Sequence, residues 1–392
     1  MSHRRYDFIL AGGGVAGLSL AYHLVRSPLR TRSMLVVDRE AKDRNDVTLS
    51  FWADRPTLFD LIVDRTWSKL QVVSEDYRII LDLGEYRYKT IRGLDYYRFV
   101  REALSAYPQV DVVQGAVDRI DDGPDHASVV VDGQAYTGGW VFDSLFDITK
   151  FAPDTSRYYF LQQHFKGLEI ETPDARFNPE LPTFFDFRTP QENELRFFYA
   201  LPYSERYALV EYVVLSREKY EQDLREHIET VMGIREYRTL AEEGGISPLT
   251  NYPFPRRAGR RIMNIGIRGG MIQPSTGYAF MRILDDSAAV VASLLKEGHP
   301  FNVPNPDPWF YRFCDAMTLR VMHHRGEWMK PLFLAMFRNN PIARVLRYLD
   351  HVASPWENLL LLASLVPPLY RGARAELAGA RRLSSALGPG SR

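Results

Sequence analysis

Residues 8–11, Phe-Ile-Leu-Ala, form an unbroken apolar run that predicts a buried strand. Apolar residues at helical spacing over Val15–Val25 predict a helix, and 33–37 a second buried strand, so the chain opens with a βαβ unit. From 48 to about 92 the pattern shifts to short aromatic and β-branched segments with turn residues, such as 77–83 and 86–91, as expected of a sheet insertion. Helical periodicity returns over 96–107. Residues 110–120 and 127–131 then read as strands, and 138–143 as a strand ending in an acid. Long alternating segments at 158–165, 183–187, 195–201 and 207–215 predict an antiparallel sheet. A charged amphipathic helix is expected over 217–231, a strand over 261–266 and an apolar helix over 278–295. Beyond Pro304 the pattern is helical with prolines, and from Gly372 the composition is that of a disordered tail.

Composition narrows the classes. Lys and Arg (49) balance Asp and Glu (49), so no basic field of the kind a nucleic-acid binder uses is present. The single cysteine, Cys314, excludes an internal disulfide framework and a thiolate cluster for zinc; no metal is expected, and a reducing cytoplasm fits best. The longest apolar tract, 359–369, is interrupted by Pro367 and Pro368 and falls short of the ~20 residues a membrane span needs. The 22 Tyr, 22 Phe and 6 Trp suit a large apolar pocket as well as a large core.

Gly12-Gly13-Gly14-Val15-Ala16-Gly17 follows the first strand and opens the first helix, and Asp38 ends the second strand about 20 residues later. In a dinucleotide fingerprint Gly12 permits the tight turn, Gly14 lets backbone amides approach the pyrophosphate, and Gly17 lets the helix pack closely on the strand. Asp38 accepts from the adenosine ribose hydroxyls. The insertion after the second strand and a late glycine-rich turn, 266–278, favour FAD over NAD. That turn carries Gly270, Pro274, Thr276 and Gly277 before an apolar helix whose N-terminus suits an anionic reduced flavin; an ordinary strand-to-helix loop is the alternative.

With these residues in place the chain resembles the FAD-dependent lycopene cyclases of bacterial carotenoid pathways. The likeness rests on the fingerprint with Asp38; on Leu161-Gln162-Gln163-His164-Phe165-Lys166-Gly167; on Phe185-Asp186-Phe187-Arg188 followed by 197–202 and Leu209-Val210-Glu211-Tyr212; and on 269–280 with Pro274-Ser275-Thr276-Gly277-Tyr278. It covers residue 6 to about 300. The fingerprint is common to many flavoproteins, whereas the ordered succession of the other stretches is specific.

The resemblance implies an α/β fold. A discontinuous Rossmann-type FAD-binding domain (1–50, 93–150 and 255–300) carries an inserted antiparallel β-sheet substrate domain (51–92 and 151–254), then a helical cap or membrane-facing region (301–371) and a tail (372–392). It implies a non-redox use of flavin, an isomerase or intramolecular lyase reaction. Reduced FAD, with NAD(P)H as reductant, and an acidic residue protonate a linear ψ end group of lycopene or a related linear carotenoid, and the carbocation closes to a ring. Such a site needs a protonated donor in an apolar cavity, negative or π-electron surroundings for the cation, and exclusion of water. Glu211 is the acid the resemblance carries over. Its strand is otherwise apolar, so burial there raises a carboxyl pKa as a general acid requires; a carboxylate on the solvent face of an edge strand is the alternative. Asp186, between Phe185 and Phe187, is either a second acid or the partner of Arg188.

Departures from the pattern also matter. Where many cyclases show His-Thr-Trp-Ser-Phe, this chain has Val47-Thr48-Leu49-Ser50-Phe51-Trp52, which shifts the Trp on the flavin-side wall. No Gly-Asp precedes the late turn, as aromatic hydroxylases have, and no Trp-x-Trp occurs, as in flavin halogenases. Segments 328–338 and 356–366 combine large apolar residues with flanking Arg and Lys; they suit helices in the headgroup plane of a membrane, for a cytoplasmic protein peripherally attached there, or a cap on the sheet. An FAD-dependent monooxygenase or reductase acting on a polyprenyl or polyketide substrate, and a flavin-containing membrane-surface protein without turnover, are the competing functions.

Overall fold

The computed structural model describes residues 4–216 and 223–366, so the start of the expected 217–231 helix and the tail 372–392 lie outside the described residues. Helices in chain order are α1 (Val15–Val25), α2 (Gly93–Ser105), α3 (Asp223–Thr230), α4 (Phe280–Glu297), α5 (Trp309–Arg325), α6 (Met329–Asn339) and α7 (Ile342–Leu349). Residues 355–366 are helical as well. The chain divides into two units, the first running to residue 66 and resuming over 89–162 and 243–316. The second takes 67–88, 163–242 and the described residues from 317 onward.

At the centre of the first unit the Arg4–Ala11 strand pairs in parallel with Met34–Asp38 on one side and Gln134–Asp143 on the other. Val110–Gln114 extends the sheet beyond Met34–Asp38, while Ile262–Asn264 pairs in parallel with Gln134–Asp143. Successive side chains of a strand point to opposite faces. Phe8, Leu10, Met34 and Val36 therefore join a core with α1, α2 and α4, whereas Ile9, Leu35 and Val37 pack with Val129, Val131, Tyr136 and Val141. Both faces being covered, these strands read as continuous apolar runs, which is the pattern of a parallel sheet.

The run expected as one strand over 110–120 is two strands. Val110–Gln114 pairs with Met34–Asp38 at one edge, and Val117–Asp121 pairs antiparallel with Ala127–Val131 at the other. The apolar alternation continues through Gly115-Ala116, so periodicity could not show the break. Residues 51–66 and 89–92, expected with the substrate sheet, belong to the first unit. Phe51, Phe59 and Ile91 are there because they bury themselves in the same core as Tyr96 and Phe280.

The sheet of the second unit runs Phe160–Glu171, Tyr207–Ser216, Leu195–Pro202, Thr183–Asp186, Lys69–Val73, Arg78–Asp82, with Arg238–Thr250 outside Phe160–Glu171. Its pairings are antiparallel apart from Thr183–Asp186 with Lys69–Val73 among those whose register is resolved. One face, bearing Phe198, Val210, Tyr212 and Val214, packs on Leu224 and Ile228 of α3.

The approach of α1 to its strand sets a stability prediction. A Cβ on Gly17 would stand 1.9 Å from the Gly12 carbonyl oxygen, whereas one on Gly133 (φ +78°), in the Asp132-Gly133 hairpin turn, would meet nothing within 4 Å. Gly17→Ala should destabilise by about 2–3 kcal/mol through overpacking and Gly133→Ala by about 1 kcal/mol through backbone strain. Equal midpoints for the two variants in urea unfolding would contradict this reading.

Candidate functional site

In the first unit the glycine turn is shaped by close contacts with Ser144 and Asp38. Gly12 adopts φ +109°, and a Cβ there would lie 2.2 Å from Ser144 Oγ, which donates to the Ala11 carbonyl at 3.0 Å. Gly14 is the N-cap of α1 and brings no side chain to the exposed amides, nor does the first turn hold an acid. A Cβ on Gly14 would meet nothing within 4 Å. The N-terminus of a helix of this length attracts anions when nothing covers it.

Asp38 accepts from the Gly13 amide at 2.7 Å through Oδ2 and from the Glu40 amide at 2.8 Å through Oδ1. A carboxylate has about four acceptor sites, so two remain for ribose hydroxyls. Beside it a cavity of about 420 Å³ is lined by Gly13, Asp38, Glu40, Ala41, Arg101 and Gln114, among others. This orphaned helix terminus, the oriented acid and the cavity fit the adenosine-diphosphate half of a dinucleotide.

The late turn reaches the same place. Gly266 (φ +59°) sits so close to α1 that a Cβ on it would lie 2.6 Å from the Cβ of Ala16. After a 3₁₀ turn over Gly266–Gly269, Gly270 takes the left-handed conformation (φ +81°) that ends it. The next loop closes on itself around Pro274. The Gln273 amide donates to the Tyr278 carbonyl at 2.9 Å, the Gly277 amide to the Gln273 carbonyl at 3.0 Å, and Thr276 Oγ1 to Gln273 Oε1 at 2.9 Å. Thus Gly12, Gly14, Gly17 and the Gly270–Gly277 loop, remote in sequence, are assembled in one unit. Trp52, shifted relative to the family pattern, is buried edge-on against Tyr278 with ring centroids 4.5 Å apart.

Several supporting residues escaped sequence reasoning because their partners are far away in the chain. Arg268 of the late turn pairs with Asp143 at 2.7 Å, although burial keeps the Asp143 carboxyl above its ordinary pKa. Ser275 Oγ donates to Asp315 Oδ1 of α5 at 2.6 Å, and burial lifts Asp315 to about 7 against that hydrogen bond. Thr48 Oγ1 donates to the buried Glu243 at 2.8 Å. Only the apolar setting of Asp315, between Cys314 and Ala316, gave any signal in the sequence.

In the second unit Glu211 is buried, 3% exposed, on the Tyr207–Ser216 strand. It stands opposite Tyr199, with Leu209 opposite Leu201 and Val213 opposite Phe197. Alternation places these residues on the face away from α3. That face is rich in aromatic rings. Phe185 lies 4.7 Å from Phe197 and 5.3 Å from Phe333 of α6, and stacks on Phe187 at 5.5 Å.

Asp186 stands opposite Phe198, on the α3 face, so the sheet separates the two acids rather than uniting them. Arg188 grips both Asp186 oxygens, Nε to Oδ1 at 2.9 Å and Nη2 to Oδ2 at 2.5 Å. His227 Nε2 of α3 lies 3.6 Å from Oδ2, its ring stacked on Phe198. Burial opposes ionisation of Asp186, but the bonds from Arg188 and His227 prevail and bring its pKa down to about 2. The Arg188 ion pair that the sequence allowed for Asp186 is formed.

Among the described residues no helix is long and apolar enough to cross a membrane. In a comparison with curated proteins, the chain is 23% identical over 316 residues to a chloroplastic neoxanthin synthase of Solanum tuberosum, covering 74% of this chain and 61% of that one. It thus spans less than two thirds of that relative's length. A geranylgeranyl bacteriochlorophyll reductase-like protein of Thermoplasma acidophilum superposes with a TM-score of 0.66 at 12% identity, covering 95% of this chain and all of the other. A flavoprotein/dehydrogenase of Cytophaga hutchinsonii does so at 0.62 and 10% identity, over 93% of this chain and all of that one. At such identities these likenesses speak for the mixed α/β fold. The model of the family described as "Lycopene cyclase protein" matches residues 7–371, and over that length the chain belongs to the lycopene cyclase family.

Proposed function

We propose that this protein cyclises the linear ψ end group of lycopene or a related linear carotenoid, by an acid-initiated reaction with no net redox change, at the surface of a membrane. The observation that carries the reading is Glu211, a buried carboxyl opposite Tyr199 on the sheet face that also bears Phe197, against which Phe185 and Phe187 pack, with Phe333 on Phe185. Its O–H bond breaks as a C–H bond forms at the terminal double bond of the substrate. The neighbouring double bond then attacks the resulting cation and closes the ring. Loss of a ring proton to the Glu211 carboxylate restores both the double bond and the acid, so substrate and product have the same mass. The aromatic faces offer the cation π-electron density, and such a reaction needs water kept from the cation.

Gly12, Gly14, Gly17 and Asp38, with Gly270, Pro274, Thr276 and Gly277, are the residues that would hold FAD. When bound in its reduced form, after reduction by NAD(P)H, FAD supplies negative charge that favours a cationic transition state. Asp186, ionised and tied to Arg188 and His227, acts in this reading as an anchor of the sheet rather than as the acid.

Glu211→Gln keeps volume and fold but removes the transferable proton, so ring formation should fall by ~10²–10⁴-fold with FAD still bound. Glu211→Asp should keep partial activity. Pigment mass and chromatographic shift, measured with bound flavin in the same preparation, read the result; normal cyclisation by Glu211→Gln sinks the assignment, and a product heavier by oxygen or hydrogen sinks the reaction class.

Gly14 has extended backbone angles (φ −79°, ψ −167°) and open space where a side chain would point. Gly14→Val should therefore leave the melting temperature of the flavin-free protein unchanged while the visible flavin spectrum is lost. Retention of stoichiometric FAD by this variant would refute the cradle.

For Asp186 the folded pKa of about 2 lies below the ordinary carboxylate value near ~3.9, so its ionisation stabilises the fold above pH ~4 and this stabilisation fades as pH falls toward ~2. Between those limits the wild type should lose about 2 kcal/mol more stability than Asp186→Asn. Parallel acid-denaturation curves for the two proteins would show that the ion pair contributes nothing.

A further inference from the structure

The helix over 355–366 is anchored on one side. Leu361 and Asn358 are buried, Ser364 Oγ takes a hydrogen bond from Asn340 Nδ2 at 2.9 Å, and Glu357 is held by Arg347 at 2.5 Å. Its outer side exposes Trp356 (66%), Leu359 (56%) and Val366 (59%), together with Ala363, and Val352 just before the helix is 66% exposed. The spacing i, i+3, i+7, i+10 puts the helical residues on one face. The helix's one charged residue, Glu357, is engaged by Arg347, which leaves the outer face without charge. A surface helix of a globular protein ordinarily turns polar residues outward.

The residues that follow in the sequence carry Arg371, Arg374, Arg381, Arg382 and Arg392 against a lone Glu376. An uncharged apolar face with a Trp at one end, continued by a strongly basic segment, matches the two layers of an anionic bilayer surface, acyl boundary and headgroups. A second copy of the chain matches less well: five side chains make the stripe, against the roughly 20–30 residues a side of a stable pair.

We infer that the face formed by Val352, Trp356, Leu359, Ala363 and Val366 docks this protein on an anionic lipid bilayer. The inference deepens the membrane-surface placement given above, yet it rests on exposure and charge and is tested without carotenoid or turnover. Flavin-loaded full-length protein is sedimented with vesicles of phosphatidylcholine alone and of an equal mixture of phosphatidylcholine and phosphatidylglycerol. The wild type should partition onto the mixed vesicles more strongly than onto the neutral ones. Trp356→Ser combined with Leu359→Ser should reduce that partition by about tenfold or more, with melting temperature and bound flavin unchanged. Equal partition of wild type and double variant would overturn the inference, as would a wild type that stays in the supernatant while cyclising in detergent. Concentration-dependent self-association abolished by the double variant, without vesicle binding, would assign the face to a second copy instead.

Discussion

The Gly12 carbonyl and Gly17 come so close that nothing larger than hydrogen fits between them, and the first unit is arranged around that contact. It lets α1 start immediately after the central strand and lie flat against it. The amides at the start of α1 therefore face the end of the sheet, where Asp38 and the late turn converge. Gly266 repeats the constraint from the other side, since its missing side chain leaves room for Ala16. Two close approaches of backbone thus place one helix terminus, and the site follows from the placement.

How far the sequence disclosed this depends on the range of the interaction. Helix α1 lies at the predicted Val15–Val25, since the glycines before it and the apolar spacing within it are local signals. Most strands of the two sheets were legible in the same way, but Lys69–Val73 and Arg238–Thr250, the latter without clean alternation, were not. What local patterns could not show was which edge a strand joins, and the break at Gly115 is the example: both halves alternate equally well, and only their partners differ. The acids obey the same limit. Asp186 and Glu211 each sit among apolar residues, but the face each occupies depends on register with Phe198 and Tyr199, and register is a property of pairs of strands. Arg268 with Asp143, and Ser275 with Asp315, join residues too far apart for any spacing argument.

Three aspartates, Asp186, Asp286 and Asp315, show how burial and partners compete. Asp186 has a guanidinium on both oxygens and stays ionised well into acid. Asp315, which takes the Ser275 hydroxyl on Oδ1, is pushed to about 7, and Asp286 is also raised by burial despite Arg256 at 2.6 Å. Desolvation is common to all of them, and the number and charge of the donors decides the outcome. A fold that holds acids in both conditions can keep Asp186 charged for structure while leaving Asp315 close to its point of protonation at neutral pH.

The order of strands in the first sheet bears on how the chain reaches its native state. Arg4–Ala11 cannot be flanked on both sides until Gln134–Asp143 has been made, and Ile262–Asn264, with the late turn behind it, completes the sheet only after the segments of the second unit have intervened. Pairings of such long sequence separation are slow to form because loop closure precedes the reward of contact. The glycine turn near the N-terminus is thus synthesised early but lacks its opposite wall until late. A ligand that bridges the two walls would bind the finished sheet far better than any precursor, and so would draw the last step of folding forward by mass action.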